Sequence, residues 1–201
     1  MIQQKVVIIN TGCANISSVR IALERLGSSV LITDDARLIQ QADKVLLPGV
    51  GSAATAMKSI AQKNLIKVIQ QLSQPVLGVC LGMQLLVSRS EESKDGSVSC
   101  LDLIPADVVR MQVGALRLPH MGWNTVSSIA QSALFNGIPD HTYFYFVHSF
   151  CVKPSPYTLA SCTYAQPFSA ALRKDNFYGV QFHPERSGEA GAQLLRNFLT
   201  L

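Results

Sequence analysis

The stretch Pro75-Val76-Leu77-Gly78-Val79-Cys80-Leu81-Gly82-Met83-Gln84-Leu85-Leu86 constrains this chain more than any other. Apolar residues run up to one cysteine, a glycine stands two positions to either side of it, and beyond it apolar residues return at helical spacing. The segment therefore reads as strand, sharp turn and helix, with Cys80 at the turn. At such an elbow the side chain points out above the sheet edge, and Gly78 and Gly82 leave room for neighbouring backbone. The first free N–H groups of the helix favour negative charge on the sulfur. A buried core cysteine at the end of a parallel strand fits the stretch equally well, because unpaired cysteine is among the most buried residue types.

The rest of the chain supplies the sheet that such an elbow needs. Lys5 to Asn10, Val30 to Thr33 and Lys44 to Leu47 are short β-branched-rich runs, and helical patterns lie between them, first over Asn15 to Leu26. That alternation predicts βαβ units and a buried parallel sheet. Pro48-Gly49-Val50-Gly51-Ser52 forms a glycine-rich loop before a helical region from Ala53 to about Leu72 that Asn64 divides. The helix after Cys80 is expected to run to about Ser88, and Ser90 to Gly96 to form a solvated charged turn. From Leu101 the texture changes. Strand-like segments at Val108 to Met111, Ala115 to Leu118, Tyr143 to Phe150, Leu159 to Tyr164, Ser169 to Leu172 and Phe177 to Phe182 follow one another with few helices between. An amphipathic helix from Gly188 to Leu201 closes the chain. The expectation is an α/β fold: an open, mostly parallel sheet flanked by helices, with additional antiparallel strands in the C-terminal half, in a single domain spanning 1–201.

Composition narrows the function. The formal net charge of +4 is mild and the basic residues are scattered, which argues against a nucleic-acid surface. The glycine loop has no lysine in the P-loop position and no GxGxxG, so nucleotide binding is not supported. Five cysteines, Cys13, Cys80, Cys100, Cys151 and Cys162, show no CxxC pair and no regular spacing, which indicates free thiols in a reducing compartment. The N-terminus lacks signal-peptide character, and the longest apolar run is far shorter than the roughly 20 residues of a membrane span, so a cytoplasmic protein is expected. No metal and no cofactor are expected, since no Cys/His pair has ligand spacing.

The chemistry concentrates at two places. In Phe177-Tyr178-Gly179-Val180-Gln181-Phe182 followed by His183-Pro184-Glu185, an extended backbone puts His183 and Glu185 on one side, roughly 7 Å apart at Cα. Pro184 stiffens the pair, which suits a base and the carboxylate that orients it. Alone, HxE reads as an incidental surface pair; beside an elbow cysteine on the same sheet edge it reads as a nucleophile's base. The oxyanion of an acyl transfer then needs two donors, the N–H of Leu81 and that of Val50 or Gly51. Gln84, four residues past Cys80, lies on the same helix face and lines the pocket, or simply solvates the helix surface. His148, next to Ser149 on an aromatic strand, is either a satisfied buried histidine or a second candidate base, ranked below His183 because it has no adjacent carboxylate. His120, Met121 and Trp123, in a proline- and glycine-bearing loop from Leu118 to Asn124, read as a partner-binding anchor or as core. His141 suggests nothing.

Together, Pro48-Gly49-Val50-Gly51, Gly78-Val79-Cys80-Leu81-Gly82-Met83-Gln84 and His183-Pro184-Glu185 resemble the class I glutamine amidotransferases. Leu118 to Asn124, Tyr143 to Ser149 and Gly179 to Gly188 look like that family's glutaminase subunits of imidazole glycerol phosphate synthase, from histidine biosynthesis, and the likeness covers essentially the whole chain. The resemblance implies a Cys80-His183-Glu185 triad that hydrolyses glutamine through a thioester. It implies a pocket using Gly51 and Gln84, with the backbone around Ser149 and Phe150 for the amino-acid end of the substrate. It also implies a heterodimer with a (β/α)8-barrel cyclase subunit that takes the ammonia, facing the Trp123 loop, with Asn15 and the glycine loop nearby. Phe150 stands where some relatives carry tyrosine. Two other readings compete with this one. An α/β-hydrolase with a cysteine nucleophile places its acid before the histidine, whereas Glu185 follows His183. A non-catalytic binding subunit has no need of Cys80, His183 and Glu185 together.

Overall fold

Short runs rich in valine, isoleucine and leucine form the centre of the computed structural model, which describes residues 4–12, 16–49, 51–93, 96–128 and 131–201. Strands β1 (Lys5–Ile9), β2 (Ser29–Thr33), β3 (Lys44–Leu47) and β4 (Val76–Val79) alternate with helices α1 (Ile16–Arg25), α2 (Ala36–Gln40), α3 (Ala53–Gln62) and α4 (Ile66–Gln70). The break between α3 and α4 falls at Asn64, which takes a left-handed φ of 55°. Helix α5 (Leu81–Leu86) follows β4 directly. Then come β5 (Val87–Ser90), β6 (Val98–Ser99), β7 (Ile104–Arg110), β8 (His120–Ser128), β9 (Thr142–His148), β10 (Phe150–Val152), β11 (Thr158–Tyr164), β12 (Gln166–Lys174), β13 (Phe177–Val180) and finally α6 (Gly188–Thr200).

One sheet takes nine of these strands in the order β2-β1-β3-β4-β13-β12-β11-β8-β9. From β2 to β13 the neighbours are parallel, and from β13 to β9 they are antiparallel. Both faces of β1, β3 and β4 are covered, which is why these strands are apolar after the lysines that open β1 and β3, while the edge strand β2 stays partly exposed. Along β1, Val6 and Ile8 enter one core cluster while Val7 and Ile9 enter the other, as a side-chain period of two requires. The first cluster also holds Leu194 and Phe198 of α6; the second holds Ala56 and Ile60 of α3.

The α/β class and the antiparallel C-terminal strands stand as expected; several boundaries do not. Ala115 to Leu118 is not a strand: Gly114 has a φ of 57°, and the Leu116 N–H closes a turn onto the Val113 carbonyl at 3.0 Å. The segment read as a loop from Leu118 to Asn124 enters β8 at His120, and its glycine is carried inside the strand. The helix after Cys80 stops at Leu86, because Val87 begins a second sheet of order β10-β7-β5-β6. Tyr143 to Phe150 is two strands, since the chain leaves the large sheet at Ser149 and Phe150 pairs with Arg110. No helix among the described residues is long and apolar enough to cross a membrane.

Candidate active site

Parallel pairing decides what meets at the sheet edge. Strand β4 lies between β3 and β13, with Val79 opposite Val180 and Gly78 opposite both Gly179 and Leu47. The residues just past these strands therefore emerge together, and the Cys80 N–H still donates to the Val180 carbonyl at 2.8 Å. Cys80 itself bends sharply, at φ 53° and ψ −111°, a conformation that a non-glycine residue holds only when its surroundings impose it. Gly82 shows what imposes it: a Cβ there would run into the Leu47 carbonyl, so β3 and α5 interlock only with glycine at this position.

His183 and Glu185 are in contact through the imidazole, with Nδ1 2.9 Å from Glu185 Oε1. The expected extended backbone is not what joins them. His183 has extended φ and ψ, but Pro184–Arg186 forms a 3-10 turn. Proline tolerates the first position of such a turn, and the turn folds the carboxylate back onto the ring. His183 Nε2 and Glu185 Oε2 are buried without a hydrogen-bond partner among the described residues. Burial disfavours the imidazolium, but the Cys80 sulfur and the Glu185 carboxylate outweigh it and raise the His183 pKa to about 10.

These groups line a cavity of about 330 Å³ that also takes in Gly51, Leu81, Gln84, Ser149 and Phe150. Leu81 opens α5, so its N–H has no partner within the helix. Gly51 adopts φ 92°, a left-handed value that glycine supplies without strain. Val50 lies outside the described residues. Gln84 lines the cavity but is only 3% exposed, and its Nε2 donates to the Phe150 carbonyl at 3.0 Å and to Gln181 Oε1 at 2.8 Å. Surface solvation is therefore not its role. The carbonyl of Ser149 accepts from the Met111 N–H.

Two further residues belong to the site, one lining the cavity and one buried behind Cys80. Glu92 is not part of a solvated turn: its Oε2 accepts from the Ala53 N–H at the start of α3, it lines the cavity, and burial raises its pKa. Gln181, fully buried, aims its Nε2 at the Cys80 sulfur at 3.8 Å. Its position two residues before His183 was a usable signal, since alternate residues of an extended segment share a side.

His148 is the satisfied buried histidine of the two readings. It is buried, donates from Nδ1 to the Phe150 carbonyl at 2.8 Å, and burial first of all lowers its pKa to about 3. His120 is no surface anchor: it is 4% exposed, stacks on Phe146 and Tyr164, and burial lowers its pKa to about 4. Strand alternation explains the correction, because Met121 and Trp123 point the other way and are 63% and 55% exposed. Asn15 and Cys13 lie outside the described residues. Burial pushes the thiol pKa values of Cys100, Cys151 and Cys162 up to about 12, 11 and 12, and none of the three lines this cavity. Among the described residues no cluster of three or more His, Cys, Asp or Glu side chains is placed to hold a metal ion.

The family profile of class-I glutamine amidotransferases matches residues 7–201. The chain is 55% identical over 201 residues to imidazole glycerol phosphate synthase subunit HisH of Vibrio cholerae, covering 98% of this chain and 99% of that one. It is 54% identical over 196 residues to the HisH subunit of Yersinia pseudotuberculosis, again with 98% and 99% covered. A solved glutamine amidotransferase structure superposes with a TM-score of 0.73 at 17% identity, covering 96% of this chain and 97% of that one, a likeness of fold.

Proposed function

On the premise that this chain belongs to the class I glutamine amidotransferase family, as a HisH-type subunit of imidazole glycerol phosphate synthase, we propose that Cys80, His183 and Glu185 hydrolyse glutamine as a triad. The observation that carries this reading is a cysteine on the wall of a cavity it shares with a histidine bonded to a carboxylate at 2.9 Å. The Cys80 thiolate attacks the side-chain amide carbon of glutamine, and the negative charge that forms on the carbonyl oxygen falls to the Leu81 N–H and to the Val50–Gly51 loop. His183, held by Glu185, gives a proton to the departing nitrogen, so that ammonia leaves and a thioester remains. It then takes a proton from water, whose oxygen displaces the sulfur and releases glutamate. Glu92 faces the same cavity and is suited to the α-ammonium of the substrate, while Gln84 and the Ser149–Phe150 backbone wall the amino-acid end.

The whole of 1–201 acts here as one glutamine amidotransferase domain, a reading supported by a sheet that draws strands from both ends of the chain. The ammonia passes to a (β/α)8-barrel cyclase subunit in a cytoplasmic heterodimer serving histidine biosynthesis. Met121 and Trp123, large apolar side chains left exposed beside each other on β8, suit an interface anchor; Asn15 is added to it by the resemblance alone. A glutamine-analogue electrophile should label Cys80 alone, and Cys80→Ala should lose glutamate release while the complex still uses free ammonia. Labelling at Cys13, Cys100, Cys151 or Cys162 instead, or full glutaminase turnover in Cys80→Ala, overturns the mechanism.

A further inference from the structure

A single file of hydrogen bonds runs from Asn124 on β8 to the Cys80 sulfur. Asn124 Nδ2 is 3.2 Å from His120 Nε2, His120 Nδ1 is 3.0 Å from His148 Nε2, and His148 Nδ1 is 2.8 Å from the Phe150 carbonyl. The same carbonyl accepts from Gln84 Nε2, whose other hydrogen goes to Gln181 Oε1. Gln181 Nε2 then reaches the sulfur.

Both ends of the file fix its direction. The Asn124 amide is oriented by its neighbours, because its Oδ1 accepts from the Thr125 N–H and its Nδ2 also donates to the Thr163 carbonyl. His120 Nε2 must therefore accept, leaving the proton on Nδ1 to be donated to His148. From the other side, the Phe150 oxygen can only accept, so His148 carries its proton on Nδ1 and presents a bare Nε2 to His120. Each ring is neutral in one tautomer. The demand for donors at Phe150 also sets Gln84 with its nitrogen inward, and Gln84 in turn forces Gln181 to show its oxygen to Gln84 and its nitrogen to the sulfur. A reversed Gln181 would set an acceptor against a thiolate.

Satisfying buried groups does not by itself explain so many of them. The two histidines sit among Phe146, Phe168 and Tyr164, where phenylalanine would pack with no polar group to satisfy.

We propose that Asn124, His120 and His148 are positioning residues that act through the Phe150 carbonyl and Gln84 to hold the Gln181 amide as a donor on the Cys80 sulfur. The proposal rests on the reading of Cys80 as the nucleophile. Held there, the amide favours the thiolate, while the competing contact, the thiol donating to the Val147 carbonyl at 3.9 Å, exists only for the protonated form.

The test is the pH profile of iodoacetamide alkylation at Cys80 in the full chain, with the modified residue mapped. Gln181→Leu is expected to slow alkylation at neutral pH about tenfold and move the profile to higher pH, because a hydrogen bond to the charged form is lost. His148→Phe and His120→Phe should slow it about fivefold in the same direction, as the file loses its lock. His120→Gln, which can accept from Asn124 and donate to His148, should restore most of the rate. Adding His120→Phe to Gln181→Leu should cause no further shift. Phe168→Leu, which loosens the same ring cluster without breaking the file, should leave the profile in place.

A labelled wild type whose profile is unchanged in Gln181→Leu and His120→Phe overturns the proposal alone. So does a shift in Phe168→Leu as large as that in His120→Phe. Absence of Cys80 labelling in the wild type overturns the nucleophile assignment as well. Should His148→Phe not fold, the His120 and Gln181 variants decide the matter.

Discussion

His183 and His148 both line the Cys80 cavity and both are buried, one capping the turn after β13 and the other ending β9, yet their surroundings shift their pKa values in opposite directions. His183 gives its Nδ1 proton to a carboxylate and lies near a sulfur, so its charged form gains support on both sides. His148 gives its Nδ1 proton to a backbone carbonyl and accepts from a second imidazole, so burial, with His120 and His183 nearby, outweighs the support that the Phe150 carbonyl gives a charge there. Burial alone does not make a histidine a base or a structural ring; the charged groups around it decide, for His183 the Cys80 sulfur first and the Glu185 carboxylate on Nδ1 next.

The largest expected effect tests that division directly. With the partner subunit present, His183→Asn should lower glutamine turnover by on the order of 10⁴-fold or more, because base and leaving-group acid are lost together. His148→Phe should cost only about tenfold, because it acts on the thiol through three intervening groups. Glutamate release measured in both variants checks this, and equal losses would erase the distinction between the two rings. Glu185→Gln should fall between them, at roughly 10² to 10⁴-fold, since an amide on Nδ1 still orients the ring but no longer favours its charge. Loss of turnover with little change in KM is the expected form, because the carboxylate supports the charged ring in proton transfer and does not hold the substrate.

How far these roles could be read in advance depended on where each residue's partners lie. Cys80 and the His183-Pro184-Glu185 run declare themselves because their chemistry is packed into contiguous residues at the ends of recognisable strands. The parallel half of the sheet was legible for the same reason: β1, β3 and β4 are short apolar runs with helices between. His120 was misread because it follows Leu118-Pro119 and precedes Gly122, which look like a loop, while the contacts that bury it come from Phe146, His148 and Tyr164 far along the chain. Glu92 carried no local signal, since its partner Ala53 and the cavity are supplied by the strand order. The second sheet was hidden too, because β5 and β6 are short and polar and gain their pairing only from β7 and the turn between them.

The smallest expected effect is on stability, and its sign differs for the two rings. The unfolded chain binds protons at a histidine from about pH 6.5 downward. Folded His148 and His120 resist protonation down to about pH 3 and 4, so between those values and 6.5 the unfolded state binds more protons and stability falls as pH falls. His148→Phe removes one such site, and its acid-induced loss between pH 6.5 and 4 should be smaller than that of the wild type by about 1.4 kcal/mol per pH unit at most. His183 runs the other way. Its folded pKa, raised to about 10, makes its contribution complete below pH 6.5 and lost as pH rises towards 10. The stability deficit of His183→Asn should therefore shrink on the alkaline side, where that of Phe168→Leu stays constant. Urea midpoints from pH 4 to 10 measure all four proteins on one scale. If His148→Phe steepens the acid limb, or the His183→Asn deficit grows with pH, then the two histidines do not hold the opposite charges on which their division of labour depends.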